Sequence, residues 1–208
     1  VPKNIGNSNT YYSNSSSSRL MYLPDYEDIT EVNSKLKFSN KIYGNSKFSG
    51  YGKVYLRIDS MNNSAIIEQS SFEYVNTIYH IMYDFDLNNS TITLPKNSVL
   101  CFDGGSLSNG NIVGNNTSII SGLHKIFNNV NLSGKFNLDE LEVEWFGVCP
   151  DGNDCSENIQ NCIINAYNIK SSVHFNSGEY KFSRAFFIYD GIYIKGEGIY
   201  NTILSSYW

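Results

Sequence analysis

The chain has 208 residues and a formal net charge of −5, with no basic cluster anywhere along it. That balance excludes a nucleic-acid partner, which calls for a basic face. No apolar run approaches the ~18 residues of a membrane helix. Charged residues make up only 17% of the chain, against about 25% in average proteins. The polarity comes from Asn and Ser, which favour turns and exposed strand faces over helix interiors. Aromatic residues reach 14% and favour strands. The expected class is all-β with many turns.

No secretory signal is visible at the N-terminus. A first residue of Val rather than Met marks the chain as processed, trimmed or part of something longer. Residues 1–40 read as an extended or mobile attachment arm, opened by an Asn/Ser-rich stretch with Ser at 15–18. Residues 30–36 fit a short helix or a strand equally well. Residues 41–90 read as a small β-rich attachment region. In it Val54, Leu56 and Ile58 alternate with Lys53, Tyr55 and Arg57, which predicts a strand with one buried face. Residues 77–87 predict a second strand. Six tyrosines in this half, Tyr11, Tyr12, Tyr22, Tyr26, Tyr43 and Tyr51, are interface candidates, because aromatic anchors mark protein interfaces. The alternative is that they fill a small N-terminal core.

From Thr91 the rhythm tightens. Short apolar runs at 92–94, 99–102, 106–107, 112–113, 118–120, 125–127 and 130–132 are separated by Gly and Asn, the residues that tolerate positive φ. The turns recur about every six to eight residues, too close for the hairpins of a sandwich. They suit a coil with several short strands per turn. Residues 91–143 therefore predict leading coils of a parallel β-solenoid. Leu107, Ile112, Ile119, Ile126 and Leu132 should point inward, and Asn side chains should stack at the corners as hydrogen-bond ladders. Residues 144–208 predict one helix and the first coils of a main solenoid. Asp154 and Glu157 fit a helix cap. Ile159, Cys162, Ile163, Ala166 and Tyr167 follow as one apolar stripe. Short strands are expected at 172–175, 179–182, 186–188, 192–194 and 202–204.

Chemistry-bearing residues are sparse. Asp84-Phe-Asp86 imitates the start of a calcium loop, but Asn89 stands where that loop needs Gly. Alternation on a strand explains the pair better. Asp151, Asp154 and Glu157 form the one dense carboxylate group, and a turn and a cap account for them. His80, His124 and His174 have no neighbouring partner in sequence and read as strand residues. Cys149 and Cys155 flank a loop and suit either a disulfide or free thiols; their spacing matches no zinc pattern. No catalytic residue, metal ligand or cofactor is expected within these residues.

Glu144-Trp-Phe-Gly-Val-Cys-Pro-Asp-Gly-Asn-Asp154, then Val173-His-Phe-Asn-Ser-Gly-Glu-Tyr180 and Ile194-Lys-Gly-Glu-Gly-Ile-Tyr-Asn-Thr-Ile-Leu204, resemble the opening of pectate-lyase-like right-handed β-helices. The chain departs from that pattern over Val148–Pro150, where a Gly is usual, and at Ser177, where a Pro is usual. Upstream, Asn76-Thr-Ile-Tyr-His-Ile-Met-Tyr-Asp-Phe-Asp-Leu-Asn88 and Val99-Leu-Cys-Phe-Asp-Gly-Gly-Ser-Leu-Ser-Asn-Gly110 resemble tail fibres and tailspikes of Bacteroidetes phages, crAss-like phages among them. The resemblance covers about residues 50–208. It implies a virion protein: the particle-proximal part of a tail fibre or tailspike, bound to other tail proteins, homotrimeric, and starting a shaft whose later coils meet bacterial surface glycan. It also implies that any active site lies on coils beyond Trp208. The alternative is the leading segment of a β-helix polysaccharide lyase or glycoside hydrolase.

Overall fold

A computed structural model describes the backbone of residues 9–13, 20–24, 29–32 and 35–38, and both backbone and side chains of residues 48, 50–58 and 65–207. The described chain is mostly strand, with one α-helix and predominantly parallel pairing. β1 (Asn9–Ser13) pairs antiparallel with β2 (Leu20–Pro24). β3 (Ile29–Val32) pairs antiparallel with β4 (Lys35–Phe38), and β4 with β5 (Gly52–Leu56). From β5 onward the ladders among the described residues are parallel.

Three columns of inward side chains build the core. In the first, β5, β6 (Thr77–Ile81), β9 (Val99–Phe102) and the end of β10 (Leu107–Ile120) stack Val54, Tyr79, Leu100 and Ile119 in register, all buried. The second aligns Phe85 of β7 (Phe85–Asp86) with Leu107 and with Phe127 of β11 (Phe127–Phe136). The third aligns Ile92 of β8 (Thr91–Thr93) with Ile112 and Leu132. Burying each Leu or Ile contributes roughly 1.5–3 kcal/mol. The five residues expected to point inward, Leu107, Ile112, Ile119, Ile126 and Leu132, are all buried.

The bends come from single Asn residues in the left-handed conformation. Asn76, Asn97 and Asn116 have φ of 49°, 59° and 61°. Their side chains bond one to the next: Asn97 Nδ2 donates to Asn76 Oδ1 at 2.8 Å, and Asn116 Nδ2 to Asn97 Oδ1 at 2.6 Å. A second ladder joins Asn129 to Asn109 at 3.3 Å, and a third joins Asn131 to Asn111 at 3.1 Å and Asn111 to Thr91 at 3.2 Å. The partners in both Asn–Asn bonds of these last two ladders are twenty residues apart. Asp84 and Asp86 belong to the same scheme, accepting from Ser106 Oγ and Asn109 Nδ2.

Several expected boundaries move. The runs at 106–107, 112–113 and 118–120 are one fourteen-residue strand, β10. An αL Asn turns the chain without breaking its pairing, because the neighbouring segments carry Asn at the same places. The strand expected over 77–87 is instead β6 and β7, parted at Met82–Asp84. The backbone of Tyr83 there packs against Gly105, where an added Cβ would stand 2.3 Å from the Tyr83 carbonyl oxygen. The expected strand at 186–188 is irregular.

Beyond β11 run β12 (Glu140–Glu142), β13 (Ser172–Phe175) and β15 (Ile194–Gly196), paired parallel, and β14 (Gly178–Phe182) pairs parallel with β16 (Thr202–Ser206). Between β12 and β13 lies α1 (Ser156–Ile169), which buries Ile159, Cys162, Ile163, Ala166 and Ile169. Tyr167, expected in the stripe, is 49% exposed and stacks on Tyr189 at 4.7 Å. One hydrophobic cluster extends from Val54 to Tyr180. No helix among the described residues is long and apolar enough to cross a membrane.

Candidate functional site

Backbone groups without a neighbouring strand need partners, and here three amide side chains supply them. Asn165, buried on α1, accepts from Leu132 N–H at 2.5 Å and donates to Val130 carbonyl at 3.4 Å. It stands in for a strand beside β11. Gln69 does the same for Thr93, accepting from its N–H at 2.8 Å and donating to its carbonyl at 2.9 Å. Gln160 does it for Phe187, at 2.6 and 3.2 Å. That explains why 186–188 needs no neighbouring strand.

At the junction between β12 and the strands after α1 sits a polar network. Alternation along β12 and the 3-10 turn after it (Val143–Phe146) buries Leu141 and Val143. Glu142 lies opposite His174 in the register, and His174 Nδ1 is 2.8 Å from Glu142 Oε2. On its other side, His174 Nε2 is 3.1 Å from Glu197 Oε1. Asn176 Nδ2 donates to Glu142 at 2.9 Å and to Glu144 at 3.1 Å. The Tyr180 hydroxyl donates to Glu144 Oε1 at 2.6 Å, and Lys195 pairs with Glu140. Glu144 is only 6% exposed; a buried carboxylate persists when donors compensate its lost hydration. Burial, then the Glu144 hydrogen bond, pushes the Tyr180 hydroxyl far above its usual range, so it remains a donor. The network clasps the segment before α1 to the strands after it.

His174 gives the clasp a pH dependence. Burial disfavours its charge, but the hydrogen bond and charge of Glu142, with Glu140 and Glu197, outweigh burial and raise its pKa above the ordinary 6.5. A raised folded-state pKa contributes stability that is complete below about 6.5 and is lost as pH rises through the folded value. Urea midpoints of the wild type should therefore fall as pH climbs from 6 to 8, and the fall should be shallower in His174→Gln. Equal slopes for the two proteins would refute the assignment.

The residues expected to matter are placed as follows. Asp154 accepts from Ser156 N–H at 3.0 Å and from the hydroxyls of Ser156 and Ser183, and these bonds hold its carboxyl well below the usual range. The residue preceding the helix is Cys155, which makes no side-chain cap bond; the carboxylate that holds the free Ser156 N–H is that of Asp154, one residue further out, and Glu157 lies exposed in the first turn. Asp151 accepts from Asn153 in a turn. Cys101, Cys149, Cys155 and Cys162 are free thiols, Cys149 exposed and the others buried. His80 and His174 lie on strands with carboxylate partners; His124 lies in an irregular segment instead. Tyr51 is half-buried, edge-on to Phe48 at 5.4 Å, against a small cluster of Ile78, Val99 and Cys101. Tyr11, Tyr12, Tyr22, Tyr26 and Tyr43 lie outside the residues whose side chains are described, although Tyr11 and Tyr22 are register partners in the β1–β2 pair.

At the far end the surface changes character. Among the described residues no strand pairs the outer side of β15 or β16. Ile199 and Tyr200 are 84% and 89% exposed, and Tyr193, Ile203 and Leu204 are also exposed. Phe175, Gly196, Ile199, Thr202 and Leu204 line an open cavity there. Comparison with known proteins finds no matching family model, curated protein or solved structure.

Proposed function

We propose that the chain is the particle-proximal part of a phage tail fibre or tailspike, attached through its N-terminal region to other tail proteins. In this reading the parallel strands open a right-handed β-helix, α1 is its capping helix, and the assembled protein is a homotrimeric shaft in the virion. The observation that carries the reading is the repeated stacking of segments about twenty residues apart, with inward Ile, Leu and Phe columns and outward Asn ladders. The phage-like wording of residues 76–110, with the pectate-lyase-like wording of residues 144–204, supports the biological setting.

The work of such a part is mechanical. Parallel hydrogen bonds run along the stacking direction, and each Asn rung adds about 1 kcal/mol net. The result is a stiff spacer between particle and receptor-binding region. The outer sides of β15 and β16, which no described strand pairs, with Ile199, Tyr200 and Leu204 exposed, offer a further coil both backbone groups and apolar surface.

Sedimentation of the intact protein, with electron microscopy of assembled particles, tests the reading. A trimer located at the tail is the expected result; a strict monomer that never joins a particle would overturn it. Release of sugar from pectin or host capsule by this chain is expected under neither this reading nor the lyase or hydrolase alternative, and it would overturn the reading that these residues hold no catalytic group.

A further inference from the structure

The outer face of the β5–β6–β9 sheet gathers three donors of different chemistry. His80 on β6 is the register partner of Cys101 on β9. Asp103 follows Cys101 by two residues and so returns to the same side of the chain. An imidazole nitrogen, the Cys101 sulfur and an Asp103 oxygen all lie within 4.8 Å of one another. His80 Nδ1 is 2.5 Å from Asp103 Oδ2, and Cys101 Sγ is 3.4 Å from Asp103 Oδ1. Tyr55, one strand over, stacks flat on the imidazole at 4.4 Å with the planes 8° apart, which fixes the ring orientation. The other ring nitrogen, Nε2, is buried without a hydrogen-bond partner. An unserved buried nitrogen costs about 1–3 kcal/mol, so the ring is held in this position against a cost.

We propose that His80, Cys101 and Asp103 form a binding site for a divalent transition metal of the zinc class, with a fourth position open to water or another ligand. The donor set decides the class. One thiolate, one imidazole and one carboxylate suit Zn(II) or Co(II) and are poorly matched to the all-oxygen shells of calcium or magnesium. Donors at ordinary zinc distances stand about 3–4 Å apart around one ion, a spacing these three side chains reach by small rotations. Cys101 would reach the ion as a thiolate. The metal therefore replaces the thiol proton, which passes to solvent, and binding tightens as pH rises. Bound there, the ion would staple β6 to β9.

Co(II) titration of the full chain, with Zn(II) as competitor, tests the site. The expected result is one Co(II) per chain with a sulfur-to-cobalt charge-transfer band that Zn(II) abolishes. Cys101→Ser should remove the band and Cys149→Ser should leave it intact. The Asp103 side chain is 44% exposed, so Asp103→Asn should fold normally and bind at least about tenfold more weakly. Zn(II) should also raise the melting temperature of the wild type more than that of Asp103→Asn. No band in the wild type, a band that survives Cys101→Ser, or an unchanged affinity in Asp103→Asn would each overturn the proposal.

Discussion

Asn165→Leu should destabilise the protein by about 2–5 kcal/mol, the loss expected when two buried backbone groups lose their partners at once. Leucine keeps the branching and heavy-atom count of asparagine and is the larger of the two, so the change does not open a cavity. It removes the acceptor for Leu132 N–H and the donor to Val130 carbonyl. Both groups sit at the edge of β11, where the element packed beside it is α1 and not a strand. The backbone of α1 already satisfies itself and has nothing to offer a strand edge. Asn161, one turn earlier on α1, is exposed, so Asn161→Leu should fall within about 0.5 kcal/mol of the wild type. Urea denaturation of the two variants, with m-values compared, measures the difference. A loss below about 1 kcal/mol in Asn165→Leu would mean that the edge of β11 does not depend on the helix.

The same amide device shows where sequence reading succeeds and where it stops. Inward residues were legible because strand alternation and apolar spacing are local: Val54 and Leu56, then Leu107, Ile112, Ile119, Ile126 and Leu132, could be read one segment at a time. The corners were legible because αL conformations select Asn and Gly. Strand boundaries were less so. The same Asn that marks a bend leaves pairing intact when the segments beside it bend with it, as along β10. Gln69, Gln160 and Asn165 carry no local mark, since an amide on a helix looks the same whether it faces water or an edge. Tyr167 fits the helical stripe by spacing, yet the surface it meets is the ring of Tyr189 rather than the core. His80 and Cys101 are linked only through register. A twenty-residue period would have brought them close, and it is visible in the Asn residues once one rung is known. Glu142 and His174 escape even that test, because α1 intervenes and sets them thirty-two residues apart.

Glycine supplies the second large effect, and it bears directly on how tightly the segments stack. Gly134→Ala should cost about 2–5 kcal/mol. Gly134 has φ +82°, and an added Cβ would stand 2.4 Å from the carbonyl oxygen of Gly114, its register partner, and 3.1 Å from Val113 Cγ1. About 1–2 kcal/mol of the cost is the left-handed conformation itself, and about 1–3 kcal/mol is the forced displacement of neighbouring backbone. Gly152 separates the two contributions. Its φ is +88°, and nothing lies within 4 Å of its added Cβ, so Gly152→Ala should show the conformational part alone. The excess of Gly134→Ala over Gly152→Ala in urea midpoint measures the contact between successive segments. If the two substitutions cost the same, β10 and β11 are not held at this separation, and stiffness cannot be credited to the stack. If the excess reaches about 1 kcal/mol or more, a single methyl group is enough to pry one segment from the next. The spacer role proposed above requires that intolerance of separation at every rung.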